Sequence, residues 1–151
     1  MDYKDLNIIE PGPALYETPD YMADLLVKLA GIEPNHTILE PSAGKGAILR
    51  AIGRKIHYLN NVSFCEMNEQ NCRGLKLSYN QDLWHNARYL EHNFFNVTNY
   101  SFDRIIMNPP LRNDIFHIQH AYSLLAPNGK LVALTHNHWY KSWDCSGFRD
   151  W

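Results

Sequence analysis

The chain has 151 residues, of which 45% are hydrophobic and 20% are charged, a composition typical of one soluble globular domain with its own core. Its apolar runs fall well short of the ~20 residues of a membrane span, and its polar N-terminus lacks the apolar region of a secretory signal. The net charge of −2 and the three cysteines without a CxxC pair exclude a globally basic nucleic-acid binder and favour a reducing, cytoplasmic location.

The first element that the sequence predicts is an amphipathic helix over residues 19–30. Thr18 is the predicted N-cap, Pro19 takes the first helical position, and Gly31 marks the end. Residues 1–17 contain a Pro-Gly-Pro break and are predicted to be irregular.

Short apolar strands then alternate with helices along the rest of the chain. The predicted strands cover residues 37–40, 62–65, 87–91, 102–107 and 130–135, and the predicted helices begin near residues 47, 68, 114 and 146. This alternation indicates an α/β domain with a mostly parallel sheet between two layers of helices. In such sheets, ligands bind at the carboxyl ends of the strands.

A glycine-rich turn follows the first of these strands, where the chain reads Glu-Pro-Ser-Ala-Gly-Lys-Gly from Glu40 to Gly46. Two glycines in this spacing let the backbone approach a ligand closely at the N-terminus of a helix. Leu49 occupies the third glycine position of a dinucleotide fingerprint, and no Ser or Thr follows Lys45 as in a phosphate-binding loop. A plain tight turn is the alternative interpretation.

Glu66 ends the second predicted strand, about 20 residues beyond the glycine turn, and its carboxylate could accept hydrogen bonds from a ribose diol. It could equally be a solvated acid at a strand end.

Asn108, Pro109 and Pro110 follow the fourth predicted strand and form a stiff, polar-tipped loop. The Asn108 amide oxygen and the Pro109 carbonyl could hold both hydrogens of a planar amino group and expose its lone pair to an electrophile. The simpler interpretation is a proline stop after a strand.

Taken together and in order, Thr18-Pro19, the Glu40–Gly46 turn, Glu66 and Asn-Pro-Pro resemble the class I S-adenosylmethionine-dependent methyltransferases. The resemblance is greatest to N6-adenine DNA methyltransferases, whose catalytic motif is Asn/Asp-Pro-Pro-aromatic. It implies a Rossmann-like three-layer fold, S-adenosyl-L-methionine as cofactor, and a single methyltransferase domain over residues 1–151. No metal ion is expected.

The resemblance also assigns roles to individual residues. Asn108, Pro109, Pro110 and Leu111 would form the catalytic loop that holds the target amine. The predicted cofactor-binding residues are Thr18, Glu40, Pro41, Ser42, Ala43, Gly44, Gly46, Glu66, Met67, Asn93, Phe94 and Asn108. Among them, Glu66 would bind the ribose hydroxyls, and Asn93 stands where the family often has an acidic residue near the adenine.

Two departures from the family pattern lead to further expectations. Leu111 replaces the aromatic residue that would stack on a target base, which weakens base holding by roughly tenfold or more. The sequence contains no segment for the family's strands six and seven, so the fifth strand is expected to be an edge that recruits a second copy or a partner chain.

DNA is the expected substrate, although the charge supports it weakly. RNA adenine and protein glutamine remain alternatives, as does a domain that binds cofactor or a partner without catalysis. No membrane association is expected. His117 and His120 lie three residues apart on one predicted helix, and helix packing explains them better than zinc.

Overall fold

The computed structural model describes residues 17–78 and 86–136. The helices are Asp20–Ala30 (α1), Ala47–Ile56 (α2), Glu69–Ser78 (α3) and Asp114–Ser123 (α4), and the strands are Ile38–Glu40 (β1), Val62–Cys65 (β2), Arg88–Glu91 (β3), Phe102–Met107 (β4) and Leu125–Ala133 (β5). The predicted irregular N-terminal segment, except for Glu17, and the predicted helix near residue 146 lie outside the described residues.

The sheet confirms the predicted α/β class. Its five strands run parallel in the order β3-β2-β1-β4-β5. The chain moves outward from β1 through β2 to β3, and then returns to place β4 on the other side of β1. Strand order therefore reverses between β1 and β4, and the crevice at that switch point is where open α/β sheets bind ligands.

Apolar side chains cover both faces of the sheet, as the uninterrupted apolar strands predict. Neighbouring residues of β4 divide between the two faces: Ile106 joins a core formed with α1 and α2, whereas Ile105 and Met107 join a core formed with the C-terminal end of α4. All three side chains are fully buried. The sheet is thus the middle layer of three.

The start of α1 differs from the prediction. Pro19, not Thr18, is the residue that precedes the first helical turn, and its carbonyl accepts hydrogen bonds from the N–H groups of Met22 and Ala23. Gly31 ends the helix in the left-handed conformation at φ 59°, as predicted. Thr18 is therefore available for a contact elsewhere in the fold.

The fifth strand also differs from its predicted bounds. The strand was expected to begin at residue 130, but β5 already begins at Leu125, which pairs with Phe102. The Pro-Asn-Gly sequence instead interrupts the register inside the strand, with Asn128 at φ 64°. An asparagine tolerates this conformation better than most residues, so the pairing continues beyond the irregularity.

Within the described part of the chain, β5 is the last strand on its side of the sheet. The expected partner at this edge stays a prediction. None of the described helices is long and apolar enough to cross a membrane.

Candidate active site at the switch point

Three strand ends meet around the switch point, and each carries a residue that the sequence analysis identified. Glu40 is the last residue of β1, Glu66 follows β2, and Asn108 follows β4. Because β1 lies between β2 and β4 in the sheet, Glu40 occupies the middle of this group.

The glycine turn after β1 has the backbone conformation that its glycines permit. Gly44 and Gly46 both have positive φ, at 55° and 86°, and Gly46 immediately precedes α2. Residues with a side chain adopt this conformation only at a cost of roughly 1–2 kcal/mol. The turn therefore brings bare backbone to the N-terminus of a ten-residue helix, where N–H groups favour electron-rich ligand groups.

Glu66 holds the glycine turn in place from the neighbouring strand. Its Oε2 accepts a hydrogen bond from the Gly44 N–H, and its Oε1 accepts one from the Asn68 N–H, both at 2.6 Å. Burial raises the pKa of the Glu66 carboxyl, and these two N–H donors partly offset the rise. These two hydrogen bonds fix the orientation of the Glu66 carboxylate beside the glycine turn.

Two further residues support Glu66, and the sequence analysis gave neither of them a role. Asn68 accepts from the Asn71 N–H through its side chain at 3.0 Å, which caps α3, and Cys72 donates its thiol to the Glu66 carbonyl at 3.0 Å. An asparagine directly before the acidic start of a helix is a recognised capping signal, so Asn68 could have been found. The thiol contact depends on tertiary geometry.

Glu40 has a different environment from Glu66. Its side chain is fully buried, and Oε1 accepts from the Ser42 N–H at 2.9 Å. Burial raises the pKa of Glu40 to about 8, while the Ser42 N–H lowers it and the nearby Glu66 raises it further. Glu40 is therefore mainly a neutral acid at pH 7 in this structure.

On the opposite side of the switch point, Asn108 contacts Thr18. The Asn108 amide Nδ2 donates to Thr18 Oγ1 at 2.9 Å, across a sequence separation of 90 residues. This bond explains what Thr18 does in place of capping α1. It also fixes the amide plane, with the nitrogen committed to Thr18 and the oxygen as the acceptor end of the side chain.

The rest of the Asn-Pro-Pro-Leu loop passes from the core to the surface. Pro109 is buried, Pro110 is exposed and Leu111 is half-buried. Just before the loop, the Met107 carbonyl accepts from the Leu134 N–H at 2.9 Å, immediately beyond β5. The loop is therefore anchored at the strand end and reaches solvent at its second proline.

Asn93 and Phe94, predicted to lie near an adenine, make their described contacts with other residues. Asn93 caps the 3-10 turn Phe94–Asn96 by accepting from the Phe95 N–H at 3.0 Å. The Phe94 ring packs against His117 and His120, with centroids 5.8 and 4.7 Å away. Both histidines are buried packing residues of α4, in agreement with the packing interpretation.

Burial lowers the pKa of His117 to about 4, against a smaller opposite effect of its contact with the Asn113 carbonyl. Its imidazole is therefore neutral at pH 7. Among residues 17–78 and 86–136, no group of three His, Cys, Asp or Glu side chains is arranged to hold a metal ion.

The structure thus joins six of the predicted site residues by hydrogen bonds that the sequence did not predict: Gly44 with Glu66, Ser42 with Glu40, and Asn108 with Thr18. Of the other predicted cofactor residues, Pro41, Ala43 and Gly46 are buried in the turn, and Met67 is half-buried beside Glu66. The arrangement has the backbone of the glycine turn on one side and an oriented amide on the other, at the position where open α/β sheets bind ligands.

Comparison with protein-family models identifies the family of this chain. The model described as methyltransferase small domain matches residues 11–142, and the chain belongs to that family. A search of curated proteins found no match.

Solved structures confirm the Rossmann-like methyltransferase fold. TrmN from Thermus thermophilus has a TM-score of 0.69 and 23% identity, over 82% of this chain and 40% of that one. An RNA methyltransferase from Salinibacter ruber, in complex with S-adenosyl-L-homocysteine, has a TM-score of 0.67 and 12% identity, over 78% of this chain and 76% of that one. The glycopeptide N-methyltransferase MtfA has a TM-score of 0.63 and 12% identity, over 79% of this chain and 54% of that one. The chain thus spans about two fifths of the TrmN chain's length.

Proposed function

We propose that this domain binds S-adenosylmethionine and transfers its methyl group to an amino nitrogen, with N6 of adenine in DNA as the first candidate substrate. The methyltransferase family supports the reaction class, and the similar structure that holds S-adenosyl-L-homocysteine supports the cofactor. When bound, S-adenosylmethionine supplies an electrophilic methyl group on a sulfonium sulfur. The chain's own residues hold the two reactants and provide the acceptors.

The cofactor residues fit a nucleoside that carries an amino acid. A carboxylate offers about four acceptor positions, and the N–H groups of Gly44 and Asn68 make the two short bonds to Glu66. The Asn71 amide Nδ2 also donates to Glu66 Oε1, in a long contact of 3.5 Å that a ribose hydroxyl could displace, so Glu66 has acceptor capacity for the ribose hydroxyls. The backbone of Gly44 and Gly46 would contact the methionine part, and the nearest atom to a Cβ placed on Gly44 would be the Ser42 carbonyl oxygen at 4.0 Å.

The observation that carries the proposed chemistry is the 2.9 Å bond from Asn108 Nδ2 to Thr18 Oγ1. It gives the Asn108 amide one orientation, in which its oxygen accepts from an amino group. The Pro109 carbonyl is the second acceptor on the loop. Together they would hold both hydrogens of a planar –NH2 group and direct its lone pair towards the methyl carbon, a preorganised arrangement that needs no covalent intermediate.

RNA is the second candidate polymer, because one of the similar structures is an RNA methyltransferase. The surface charge favours neither polymer strongly. Three of the four basic residues beside the glycine turn and along α2, Lys45, Arg50 and Arg54, form ion pairs with Glu17, Asp20 and Asp24 at 3.2, 3.7 and 2.7 Å, and Lys55 is the fourth. Paired charges attract phosphates weakly, so we expect a partner or a further segment to strengthen nucleic-acid binding.

The discriminating experiment is methyl transfer from labelled S-adenosylmethionine to adenine-containing DNA, to the RNA of the same sequence, and to matched polymers without adenine. Wild-type protein is expected to label the adenine-containing polymers. Asn108→Ala is expected to lower the rate by about 10²–10³-fold, the usual cost of removing one preorganised hydrogen bond to the reacting group. Cofactor affinity, measured by calorimetry, should change little in this variant.

A non-catalytic binding domain is the second candidate function, and Leu111 in the aromatic position is the observation that favours it. Cofactor binding without methyl transfer to DNA, RNA or protein would support this alternative and refute the enzyme. In that case the β5 edge, the last strand of the described sheet, becomes the proposed binding surface for a partner chain.

A further inference from the structure

The Glu40 carboxyl has an unsatisfied oxygen in the middle of the site. Its Oε1 accepts from Ser42, but its Oε2 is buried and has no hydrogen-bond partner among the described residues. A buried oxygen without a partner costs free energy, and the cost is much larger when the group is charged. Glu40 ends β1, which lies between the strands that end before Glu66 and Asn108, so the residue occupies the middle of the site.

The charged group that acts on Glu40 has the wrong sign to stabilise a carboxylate. Glu66, at the end of the neighbouring strand, raises the pKa of Glu40 in addition to the larger effect of burial. Cys65, on β2, is buried, and burial raises the pKa of its thiol to about 12. Asn108, from the β4 side, is uncharged, and Lys45 on the glycine turn pairs with Glu17 at the surface. Among the described residues, none of these neighbours supplies a positive charge that would stabilise the ionised form of Glu40.

We propose that Glu40 carries a proton in the cofactor-free domain and releases it when S-adenosylmethionine binds, so that binding of this cation is coupled to proton release. This inference rests on the proposed function, because it requires that cofactor to occupy the site. The charges balance: one net positive charge enters with the cofactor, and one proton leaves from Glu40 Oε2 to solvent. The carboxylate that remains then faces a cation instead of apolar surroundings alone.

The coupling makes affinity depend on pH in a defined direction. Below the pKa of about 8 that Glu40 has in the free domain, binding must remove the proton, so affinity rises with pH by up to about tenfold per pH unit. Above that value the acid is already ionised and affinity levels off. S-Adenosylhomocysteine lacks the sulfonium charge, so its affinity should rise less steeply, and Glu40 would favour the methyl donor over the product.

Calorimetry tests the coupling without any activity measurement. Titrations of the protein with S-adenosylmethionine at pH 7, in phosphate and in Tris, give the number of protons released from the difference in apparent enthalpy. Wild type is expected to release between about half a proton and one proton more than Glu40→Gln, as follows from the linkage between pKa and proton release. Glu33→Gln, which removes an exposed acid outside the site, should match the wild type.

The outcomes separate this inference from the proposed function. If the cofactor binds but wild type and Glu40→Gln release equal numbers of protons, the coupling is refuted and the cofactor assignment stands. If no cofactor binds to wild type between pH 6 and 9, the proposed function fails first. Should Glu40→Gln not fold, the wild-type affinity profile decides: a rise up to about pH 8 supports the coupling, and a flat profile overturns it.

Discussion

The two halves of the site are built in different ways. On the cofactor side, backbone N–H groups of the turn after β1 donate to carboxylates at the ends of β1 and β2, at 2.9 and 2.6 Å. On the acceptor side, one side-chain bond at 2.9 Å joins Asn108 to Thr18, 90 residues earlier. The first half is held mainly by backbone geometry, whereas the second depends on where a distant segment packs. Mutations should therefore separate binding from chemistry.

The largest expected effect is on the cofactor side. Glu66→Ala removes the proposed bonds to two ribose hydroxyls, each worth about 1.5–3 kcal/mol when the acceptor is charged, so calorimetry should show an affinity loss of about a thousandfold. The exposed acid Glu69 on the next helix provides the control, because Glu69→Ala should leave the affinity unchanged. An unaltered affinity in Glu66→Ala would remove the ribose assignment.

His117 on α4, which packs on Phe94, gives the fold a pH dependence of its own. The folded state keeps this imidazole neutral with a pKa of about 4, below the usual 6.5. An unfolded chain takes up the proton first, so this stabilisation is present above pH 6.5 and is lost as the pH falls towards 4, by about 3 kcal/mol in total.

The measurement is the difference in the free energy of unfolding between wild type and His117→Gln, from urea titrations at pH 4.5, 5.5 and 7. That difference should shift steadily in favour of wild type as the pH rises, and then become constant. The subtraction cancels the opposite dependence of Glu40, whose raised pKa makes the fold less stable as the pH rises from 4.5 to about 8. A pH-independent difference would mean that His117 is not held neutral by burial.

A smaller effect is expected from the glycine turn. Gly44→Ala places a Cβ where nothing is nearer than the Ser42 carbonyl at 4.0 Å, so the cost comes from φ 55° alone and should be about 1–2 kcal/mol in unfolding free energy. Gly74→Ala, in the interior of α3 with nothing within 4 Å, is the matched control and should stabilise the protein by about 0.5–1 kcal/mol.

The acceptor side also offers a variant that should gain function instead of losing it. Leu111→Tyr restores an aromatic ring to the half-buried position after Pro110, and a stacking contact worth about 1–3 kcal/mol should lower KM for adenine-containing polymer by about tenfold or more. Leu25→Tyr adds a ring on the exposed face of α1 and should leave KM unchanged. No gain from Leu111→Tyr would argue against a flipped base as the substrate.

Local sequence signals located the elements of the cofactor side well. The bounds of β2 and β4 were predicted to the residue, and Gly44 and Glu66 were assigned to one site that the structure joins by a hydrogen bond. The strand bounds were predicted correctly because strand ends and the turns that follow them are determined by neighbouring residues, whereas the functional roles of Gly44 and Glu66 stay predictions. The cap of α1 was wrong, since Thr18 has the right residue type but is used by Asn108.

By itself, the sequence determined the alternation of strands and helices, the apolar strands of a parallel sheet, and the residue types at each strand end, because these follow from local propensity and spacing. Only the tertiary structure decided that Thr18 orients Asn108, that Phe94 packs on the α4 histidines, and that Glu40 is buried with an unsatisfied oxygen. The physical reason is that burial and contacts between distant segments depend on how the layers pack. The same packing sets the protonation of Glu40 and His117.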